Sequence, residues 1–465
     1  MSQERKEVLK VVNPFDLSTI GEVELASWGE IDSFLEEANR LFRNRSNWMP
    51  AYRRIEILKK AASIMEGRAE ELSLLIASEG GKPLIDARVE VARAIDGVNL
   101  CIKELSHLSG QEIPMDLTAA GAGRLAFTTR EPIGPVVAVS AFNHPLNLIV
   151  HQVAPAIATG CPVLVKPADD TPLSCQAFVE IMREAGLPEE WCRFTPCSIP
   201  VAEKMVTDPR VAFFTFIGSA RVGWMLRSKL APGARCALEH GGAAPVIIDE
   251  TAEFDTVIPS LLKGGFYHSG QVCVSVQRVF APKSIAAEVA KKLADEASKL
   301  VVGDATQEAT QCGPLIRTGE VKRVAEWIDE ARKEGADILT GGEQLSETTY
   351  APTVILNPSS KSKISTSEIF GPAIAVYGFD DMDSAIELAN NLPFAFQASV
   401  FTQRLNIAMK AIQNLDATAV MVNDHTAFRV DWMPFGGRRH SGYNTGGIGY
   451  TMHDMTQDKM AVIRI

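Results

Sequence analysis

Long apolar runs are missing from this sequence of 465 residues: none reaches the roughly 18 consecutive apolar residues that a membrane helix needs. Residues 1–7 are polar and charged and carry no apolar core of the kind found in secretory signals. Basic residues are not in excess either, since the net charge is −11. That balance argues against nucleic acid and anionic membranes as partners. We expect a soluble protein with neither partner.

Disulfide and metal patterns are also missing. The sequence has eight cysteines but no C-x-x-C pair, and Cys192 and Cys197 lack the second pair that would complete a zinc site. No metal site is therefore predicted. Unpaired thiols are typical of a reducing compartment, so the sequence predicts a cytoplasmic protein.

The composition is that of a globular chain, with 46% hydrophobic and 22% charged residues. Apolar periodicity predicts helices over residues 31–43, from Pro50 to about Gly80, and over 84–108. From residue 135 onward, short apolar strands alternate with helices. The strands are predicted at 135–140, 162–166, 193–195 and 211–217, and the helices at 145–159, 171–185 and 219–229. This alternation predicts an α/β class with a Rossmann-like, doubly wound parallel sheet.

The alternation restarts at residues 244–248, where we place the beginning of a second α/β domain. Its other strands are predicted near 276–281, 374–378, 398–402 and 419–422, and its helices near 253–268 and 284–299.

Two further segments look like a small β flap. Residues 110–132 are polar and turn-rich, with a strand at 125–129, and residues 460–465 form a short apolar strand. An unpaired terminal strand is an aggregation liability, so we predict a subunit contact there. The predicted division is a nucleotide-binding domain at 1–109 and 133–240, a catalytic domain at 241–449, and an oligomerisation flap at 110–132 and 450–465.

Cys273 is the strongest candidate for a reactive group. It ends the run Gly270-Gln271-Val272-Cys273, and Glu239 lies upstream in Glu239-His240-Gly241-Gly242. A nucleophilic thiol with a carboxylate that can activate water suggests covalent acyl chemistry on sulfur. The alternative is a small buried hydrophobe, which is what most free cysteines are.

A nucleotide site is indicated by two strand ends. The strand at 211–217 runs into Gly218-Ser219 and a helix start that includes Gly223, where free N–H groups favour a pyrophosphate. The strand at 162–166 ends in Lys166 with Asp169 close behind, and both can reach a ribose. The alternatives are a capped turn and a solvated loop.

Two more residues extend the candidate site. Asn143 follows the strand at 135–140, and its amide together with the Cys273 N–H suits an oxyanion hole, although an N-cap is the alternative. Glu368 stands beside Phe370 and is plausible as a second ribose contact, or simply as part of a loop.

Together these segments resemble the aldehyde dehydrogenase superfamily, over nearly the whole chain. The matching motifs, in order, are Phe142-Asn143-His144-Pro145, Val165-Lys166-Pro167, Phe216-Ile217-Gly218-Ser219, Leu238-Glu239-His240-Gly241-Gly242, Gly270-Gln271-Val272-Cys273, Glu368-Ile369-Phe370-Gly371-Pro372 and Pro434-Phe435-Gly436-Gly437. The sequence departs from the usual pattern at Phe142, His240 and Val272, which leaves the shape of the aldehyde pocket open.

The resemblance implies roles for these residues. Cys273 would attack an aldehyde to give a thiohemiacetal, hydride would pass to a nicotinamide, and Glu239 would activate the water that hydrolyses the thioester. Lys166 and Glu368 would contact ribose, Gly218 and Ser219 the pyrophosphate, and Phe370 the nicotinamide side. Asp169 would hold the adenosine ribose and repel a 2′-phosphate, so NAD is predicted as the preferred cofactor, with NADP possible.

The resemblance also suggests a substrate class. The segments around His144 and Asn423–Pro434 are similar to a branch that acts on small polar aldehydes, such as lactaldehyde, phosphonoacetaldehyde and sulfolactaldehyde. Arg429 and His144 are the candidate contacts for an anionic tail, with Thr426 and Asn423 nearby in sequence and Phe435 as a further substrate candidate. Alternatively, Arg429 pairs with Asp431 or packs on Trp432.

Competing functions are a CoA-acylating relative, against which Glu239 argues, and a non-catalytic protein that kept the fold. A homodimer or homotetramer is expected from the flap segments, which match the position where subunits of the family share a sheet.

Overall fold

The computed structural model describes residues 7–465, and a six-stranded sheet forms the centre of its first half. Its strands, in spatial order, are Gly442–Tyr443, Arg235–Glu239, Phe213–Ile217, Val136–Val139, Val163–Lys166 and Cys192–Phe194. All neighbours are parallel except the short first strand. Successive side chains point to opposite faces, so Val136 and Ala138 enter one apolar core and Val137 the other. The predicted doubly wound sheet is confirmed.

Helices cover both faces of this first sheet. They are Trp28–Arg43, Ala51–Gly67, Ala69–Gly80, Leu84–Glu104, Asn147–Thr159, Pro172–Glu184, Ile199–Val206, Ala220–Arg227 and Ile448–Asp454. The single helix predicted from Pro50 to Gly80 is wrong, because Arg68 leaves the helical region with φ −113° and ψ 18°. An antiparallel hairpin of Val8–Val12 and Thr19–Glu24 precedes the helices and was not predicted.

The second sheet has seven strands, and only its first pair is antiparallel. In spatial order they are Asp337–Thr340, Thr353–Leu356, Ala373–Phe379, Val276–Pro282, Ala244–Ile248, Gln397–Phe401 and Ala419–Val422. Its helices are Phe254–Phe266, Ala286–Ala297, Thr318–Lys333, Lys363–Thr366, Met382–Asn390 and Leu405–Asn414. The sequence prediction missed the last four of these helices and the first two of the strands.

A third, antiparallel sheet contains the chain terminus. Thr456–Arg464 pairs along its whole length with Arg124–Pro132, which also pairs with Glu112–Ile113. The predicted terminal strand therefore has a partner within its own chain, and no strand between residues 7 and 465 pairs with its other edge. A two-residue pair, Phe394–Ala395 with Arg438–Arg439, completes the strands.

The predicted domain division stays a prediction. Sheet pairing and packing group residues 442–455 with the first sheet, since Gly442–Tyr443 pairs with Arg235–Glu239 and Ile448, Met452 and Met455 enter the first core. Between residues 7 and 465, no helix combines the length and the apolar character that crossing a membrane requires.

Candidate active site

A cavity of about 770 Å³ lies between the first and second sheets. Its walls include the strand ends at Lys166, Ile217 and Glu239 on one side and the Gln271–Val274 loop on the other. Of the residues selected from the sequence, twelve line it: Asn143, His144, Lys166, Asp169, Gly218, Ser219, Glu239, Cys273, Glu368, Phe370, Arg429 and Phe435. Gly223 and Thr426 do not. Folding thus brings most of the candidate site into one space.

The loop that carries Cys273 has an unusual backbone. His268, Ser269 and Gly270 have φ values of 46°, 54° and 72°, in the left-handed region that side chains other than glycine disfavour. At Gly270 a Cβ would also collide with the carbonyl of Gly371. The Ser269 hydroxyl donates to the Gly313 carbonyl at 2.7 Å, which holds the turn. The turn directs the following residues into the cavity.

Cys273 and Glu239 face each other, with 3.8 Å between Sγ and Oε1. Burial, and next the charge of Glu239, hold the pKa of the Cys273 thiol well above its ordinary value, while Arg429 opposes them. Burial likewise raises the pKa of Glu239, against the opposing effects of Arg429 and Cys273. The contact places the thiol and the carboxyl group for proton transfer from Sγ to Glu239.

Asn143 lines the same cavity as this pair. Its Nδ2 donates to the Gln271 carbonyl at 2.9 Å, which uses one amide hydrogen and leaves the second one. Within residues 7–465, no oxygen accepts from the backbone N–H of Cys273. The second amide hydrogen of Asn143 and the Cys273 N–H are therefore two donors without an oxygen acceptor among the described residues.

The cavity wall also carries the groups selected for a nucleotide. Lys166 Nζ donates to Asp169 at 2.6 Å and to the Pro167 carbonyl at 3.0 Å. The Ser219 side chain makes no capping bond at the start of helix Ala220–Arg227, so the first N–H groups of that helix have no side-chain partner.

Glu368 and Phe370 also line the cavity. Glu368 accepts a hydrogen bond from the Gly242 N–H at 2.9 Å, and burial raises the pKa of its carboxyl group to about 8. Phe370 meets Phe142 edge to face, with 5.8 Å between ring centroids.

Gly223 packs beneath the cavity wall instead of lining it. A Cβ at Gly223 would collide with the ring of His240, whose Nδ1 donates to the Gly218 carbonyl at 2.9 Å. The His240 ring also lies between Phe216 and Trp224. Gly223 thus makes room for the histidine that supports Gly218, and its assignment as a pyrophosphate contact stays a prediction.

The third region of the cavity surrounds Arg429. Its guanidinium lies 3.6 Å from the centroid of the Phe435 ring, and its Nη2 is 3.4 Å from His151 Nδ1. Neither sequence alternative is realised: Asp431 pairs with Arg93 instead, and Trp432 is 61% exposed. Arg429 has no carboxylate within ion-pair distance in the described part of the chain.

His144 and Thr426 differ in where they point. His144 lines the cavity with Nε2 3.3 Å from the Tyr267 hydroxyl, and burial lowers its pKa well below the usual range, so the ring is neutral. The Thr426 hydroxyl is buried and donates to the Val274 carbonyl at 2.7 Å. Thr426 thereby supports the Cys273 loop, and its role as a substrate contact stays a prediction.

Sequence reasoning missed several residues of the site. Gln271 accepts from Ile316 N and donates to the Pro314 carbonyl, and its position two residues before Cys273 was a usable signal. His151 and Arg93 lie within long helices, where nothing in the local pattern separates them from structural residues.

Comparison with known proteins identifies the family. The profile described as the aldehyde dehydrogenase family matches residues 1–461. This chain belongs to the aldehyde dehydrogenase family.

Similar aldehyde dehydrogenases are known by sequence and by structure. The 3-sulfolactaldehyde dehydrogenase of Priestia aryabhattai is 34% identical over 99% of this chain and 95% of its own length. Aldehyde dehydrogenase 21 from Physcomitrella patens, solved with the reaction product succinate, has a TM-score of 0.95 and 34% identity over 99% of this chain and 96% of that one. Glyceraldehyde-3-phosphate dehydrogenase from Methanocaldococcus jannaschii, complexed with NADP, has a TM-score of 0.94 and 31% identity over 99% of this chain and 100% of that one.

The predicted NAD(P)-dependent oxidoreductase acting on aldehydes is confirmed at the level of the family. The residues present fit a dinucleotide, because Lys166, Asp169 and Glu368 can bind ribose hydroxyls and the uncapped helix start at Ser219 suits a pyrophosphate. Among residues 7–465, no cluster of three or more His, Cys, Asp or Glu side chains could hold a metal ion.

Proposed function

We propose that this aldehyde dehydrogenase oxidises a short aldehyde with an anionic tail to its carboxylic acid. The observation that carries the proposal is one cavity in which the Cys273–Glu239 pair lies near a guanidinium, Arg429, that has no carboxylate partner among the described residues. The Cys273–Glu239 pair supports acyl chemistry on sulfur, and the guanidinium of Arg429 supports recognition of an anion.

Cys273 Sγ attacks the aldehyde carbon, and the thiol proton passes to Glu239. The carbonyl oxygen becomes an oxyanion that the second N–H of Asn143 and the Cys273 backbone N–H stabilise, each worth about 3 kcal/mol. A nicotinamide, when bound, would supply the hydride acceptor, and loss of a hydride from the carbon attached to Cys273 Sγ would give a thioester there.

Glu239 first releases the thiol proton to solvent. It then takes a proton from water, and the resulting hydroxide adds to the thioester carbon. The carbon–sulfur bond breaks, the leaving thiolate of Cys273 takes the proton back from Glu239, and the carboxylic acid is released.

Recognition of the tail is assigned to Arg429, with the neutral ring of His144 as a second polar contact and Phe435 as an apolar floor. Two of the compared proteins support the anionic class: one is named for sulfolactaldehyde and one was solved with succinate. Each of those molecules carries an anionic group away from the reacting carbon.

A cofactor preference for NAD is part of the proposal, because the Asp169 carboxylate would repel a 2′-phosphate. Lys166 and Glu368 are assigned to the riboses, Gly218, Ser219 and Gly223 to the pyrophosphate, and Phe370 to the nicotinamide side. Thr426 stays a proposed substrate residue, which would act through the Cys273 loop that its hydroxyl supports.

The test is an aldehyde panel with NAD and with NADP, followed by absorbance of the reduced nicotinamide. We expect a higher kcat/KM for 3-sulfolactaldehyde than for lactaldehyde, which lacks the sulfonate, and a low value for hexanal. Equal or better turnover of hexanal would contradict an anionic pocket.

Acyl transfer to CoA is the second candidate. The 3.8 Å contact of Glu239 with Cys273 favours hydrolysis instead, because a base for water is unnecessary when a thiol accepts the acyl group. Product analysis with and without CoA separates the two, and a CoA thioester would refute the hydrolytic route.

The proposal includes a homodimer or homotetramer. The third sheet has an open edge at Thr456–Arg464, and Met460, Val462 and Ile463 on that strand are exposed, which favours pairing with a second copy. The three-part domain division is also part of the proposal. So is a cytoplasmic location, which is supported by eight cysteines that form no disulfide.

A further inference from the structure

Asp431 forms a buried hydrogen-bonding centre behind the wall of the cavity. Its side chain is 2% exposed and accepts from His151 Nε2 at 2.7 Å, from Arg93 Nη2 at 2.7 Å and from Asn147 Nδ2 at 3.3 Å. Arg93 Nε adds a contact to the second oxygen at 3.0 Å. Arg93 therefore compensates the charge of Asp431, and the carboxylate is not shared with Arg429.

The contact with Asp431 sets the tautomer of His151. A carboxylate only accepts hydrogen bonds, so Nε2 must carry the proton, and in a neutral ring Nδ1 is then a bare acceptor. Burial lowers the pKa of His151 to about 4, with Arg429 acting in the same direction and Asp431 against it, so the ring is neutral near pH 7. The bare Nδ1 faces Arg429 Nη2 at 3.4 Å.

Few contacts other than the one with His151 therefore fix the orientation of the Arg429 guanidinium. The Phe435 ring supports one face of the guanidinium, His151 accepts from one terminal nitrogen, and the buried Nε has no hydrogen-bond partner in the described structure. The remaining terminal N–H groups are free for a ligand in the cavity. Without the imidazole acceptor, only the ring would limit rotation of the guanidinium about its stem.

We propose that His151, oriented by Asp431, is a positioning residue that aims the guanidinium of Arg429 at the anionic group of the substrate. The inference rests on the proposed function, since it assumes that Arg429 binds the tail. It adds that specificity depends on a side chain one step behind the cavity wall, which acts through Arg429 and not on the reacting atoms.

The test measures kcat/KM for 3-sulfolactaldehyde and for lactaldehyde in His151→Phe, which removes the acceptor at Nδ1. We expect the ratio of kcat/KM for 3-sulfolactaldehyde to that for lactaldehyde to fall about tenfold. The fall should come from a higher KM for the sulfonate, because one charge-assisted hydrogen bond from Arg429 is no longer oriented toward it. The KM for lactaldehyde, which has no anionic tail, should change less than the KM for 3-sulfolactaldehyde. His151→Gln should restore the ratio, because its amide can donate to Asp431 and accept from Arg429.

A double-variant cycle with Arg429→Gln separates positioning from general damage. If His151 acts through Arg429, His151→Phe has no further effect on the ratio in the Arg429→Gln background. Should His151→Phe fail to fold, the smaller His151→Leu likewise removes the acceptor that faces Arg429, and the same loss is expected.

The outcomes are distinguishable. An equal loss of kcat/KM for both aldehydes, or an additional fall of the ratio in the double variant, would overturn the positioning role of His151. The proposed function would still stand. A ratio that falls in Arg429→Gln but not in any His151 variant would do the same. A ratio unchanged in Arg429→Gln would overturn the proposed anionic specificity, and the inference would fall with it.

Discussion

Lys82 and Glu90 form an ion pair that is almost completely excluded from solvent, with 1% and 0% of their side chains exposed. The second oxygen of Glu90 accepts from the backbone N–H groups of Leu146 and Asn147 at 2.9 and 3.0 Å. The pair therefore ties the helix Leu84–Glu104 to the turn that presents Asn143. It connects the stability of the fold with the geometry of the site.

Removal of one member of this pair should be costly. Glu90→Ala leaves the Lys82 charge buried without a counter-ion and two N–H groups without an acceptor, so we expect the free energy of unfolding to drop by about 3–5 kcal/mol. Chemical denaturation measures this. The double variant Lys82→Met/Glu90→Gln is the control and should recover most of the loss, and equal instability of both variants would contradict the explanation.

The two steps at sulfur should separate by mutation. Cys273→Ala should lose both aldehyde oxidation and acylation. Glu239→Gln should acylate more slowly, because the thiol proton has lost its acceptor, and should hydrolyse its thioester about 10²–10⁴-fold more slowly, because the base for water is gone. Intact-mass spectrometry of the protein after reaction should detect the acyl adduct in Glu239→Gln only. Rapid hydrolysis in this variant would exclude Glu239 as the base for water.

Cofactor choice should respond to Asp169. Asp169→Asn removes the carboxylate that would face a 2′-phosphate and frees Lys166, now paired with it at 2.6 Å, to contact that phosphate. We expect the ratio of kcat/KM for NADP to that for NAD to rise about tenfold. Asp170→Asn is the neighbouring control, since Asp170 pairs with Arg317. An unchanged ratio in Asp169→Asn would remove Asp169 from cofactor selection.

Stability should depend on pH through Glu79. This fully buried carboxyl group accepts from the N–H groups of Leu173 and Ser174, yet burial outweighs these bonds and raises its pKa to about 7. A folded-state pKa above the unfolded value means that the folded state binds the proton more tightly. The stabilisation is therefore complete below the unfolded pKa and is lost as pH rises through about 7.

The test compares the free energy of unfolding of the wild type and of Glu79→Gln as a function of pH. Between pH 5 and 8, we expect the wild type to lose about 2–3 kcal/mol more unfolding free energy than the variant. Glu347→Gln, an exposed substitution, should follow the wild type. Parallel pH profiles for wild type and Glu79→Gln would contradict the raised pKa.

Much of the fold could be predicted because local pattern and packing agree in the first sheet. Strands such as Val136–Val139 and Val163–Lys166 are apolar throughout most of their length, as strands buried on both faces require, and they lie close to their predicted limits. The sequence prediction missed helix Thr318–Lys333, because charged residues dominate its sequence. Its buried face is nevertheless apolar, with Val321, Val324 and Ile328. The break at Arg68 was invisible because the apolar period continues across it.

The site divides in the same way. The identity of the reactive groups follows from short motifs, since a thiol, a carboxylate and an amide have the same chemistry wherever the chain places them. The separation of 3.8 Å between Cys273 and Glu239 depends on a strand end and a left-handed turn from distant parts of the chain. Sequence alone determined the family, the doubly wound sheet and the candidate nucleophile. Only the tertiary structure decided that Asp431 pairs with Arg93 and not with Arg429, because residues far apart in sequence compete for one buried carboxylate and no local pattern records the outcome.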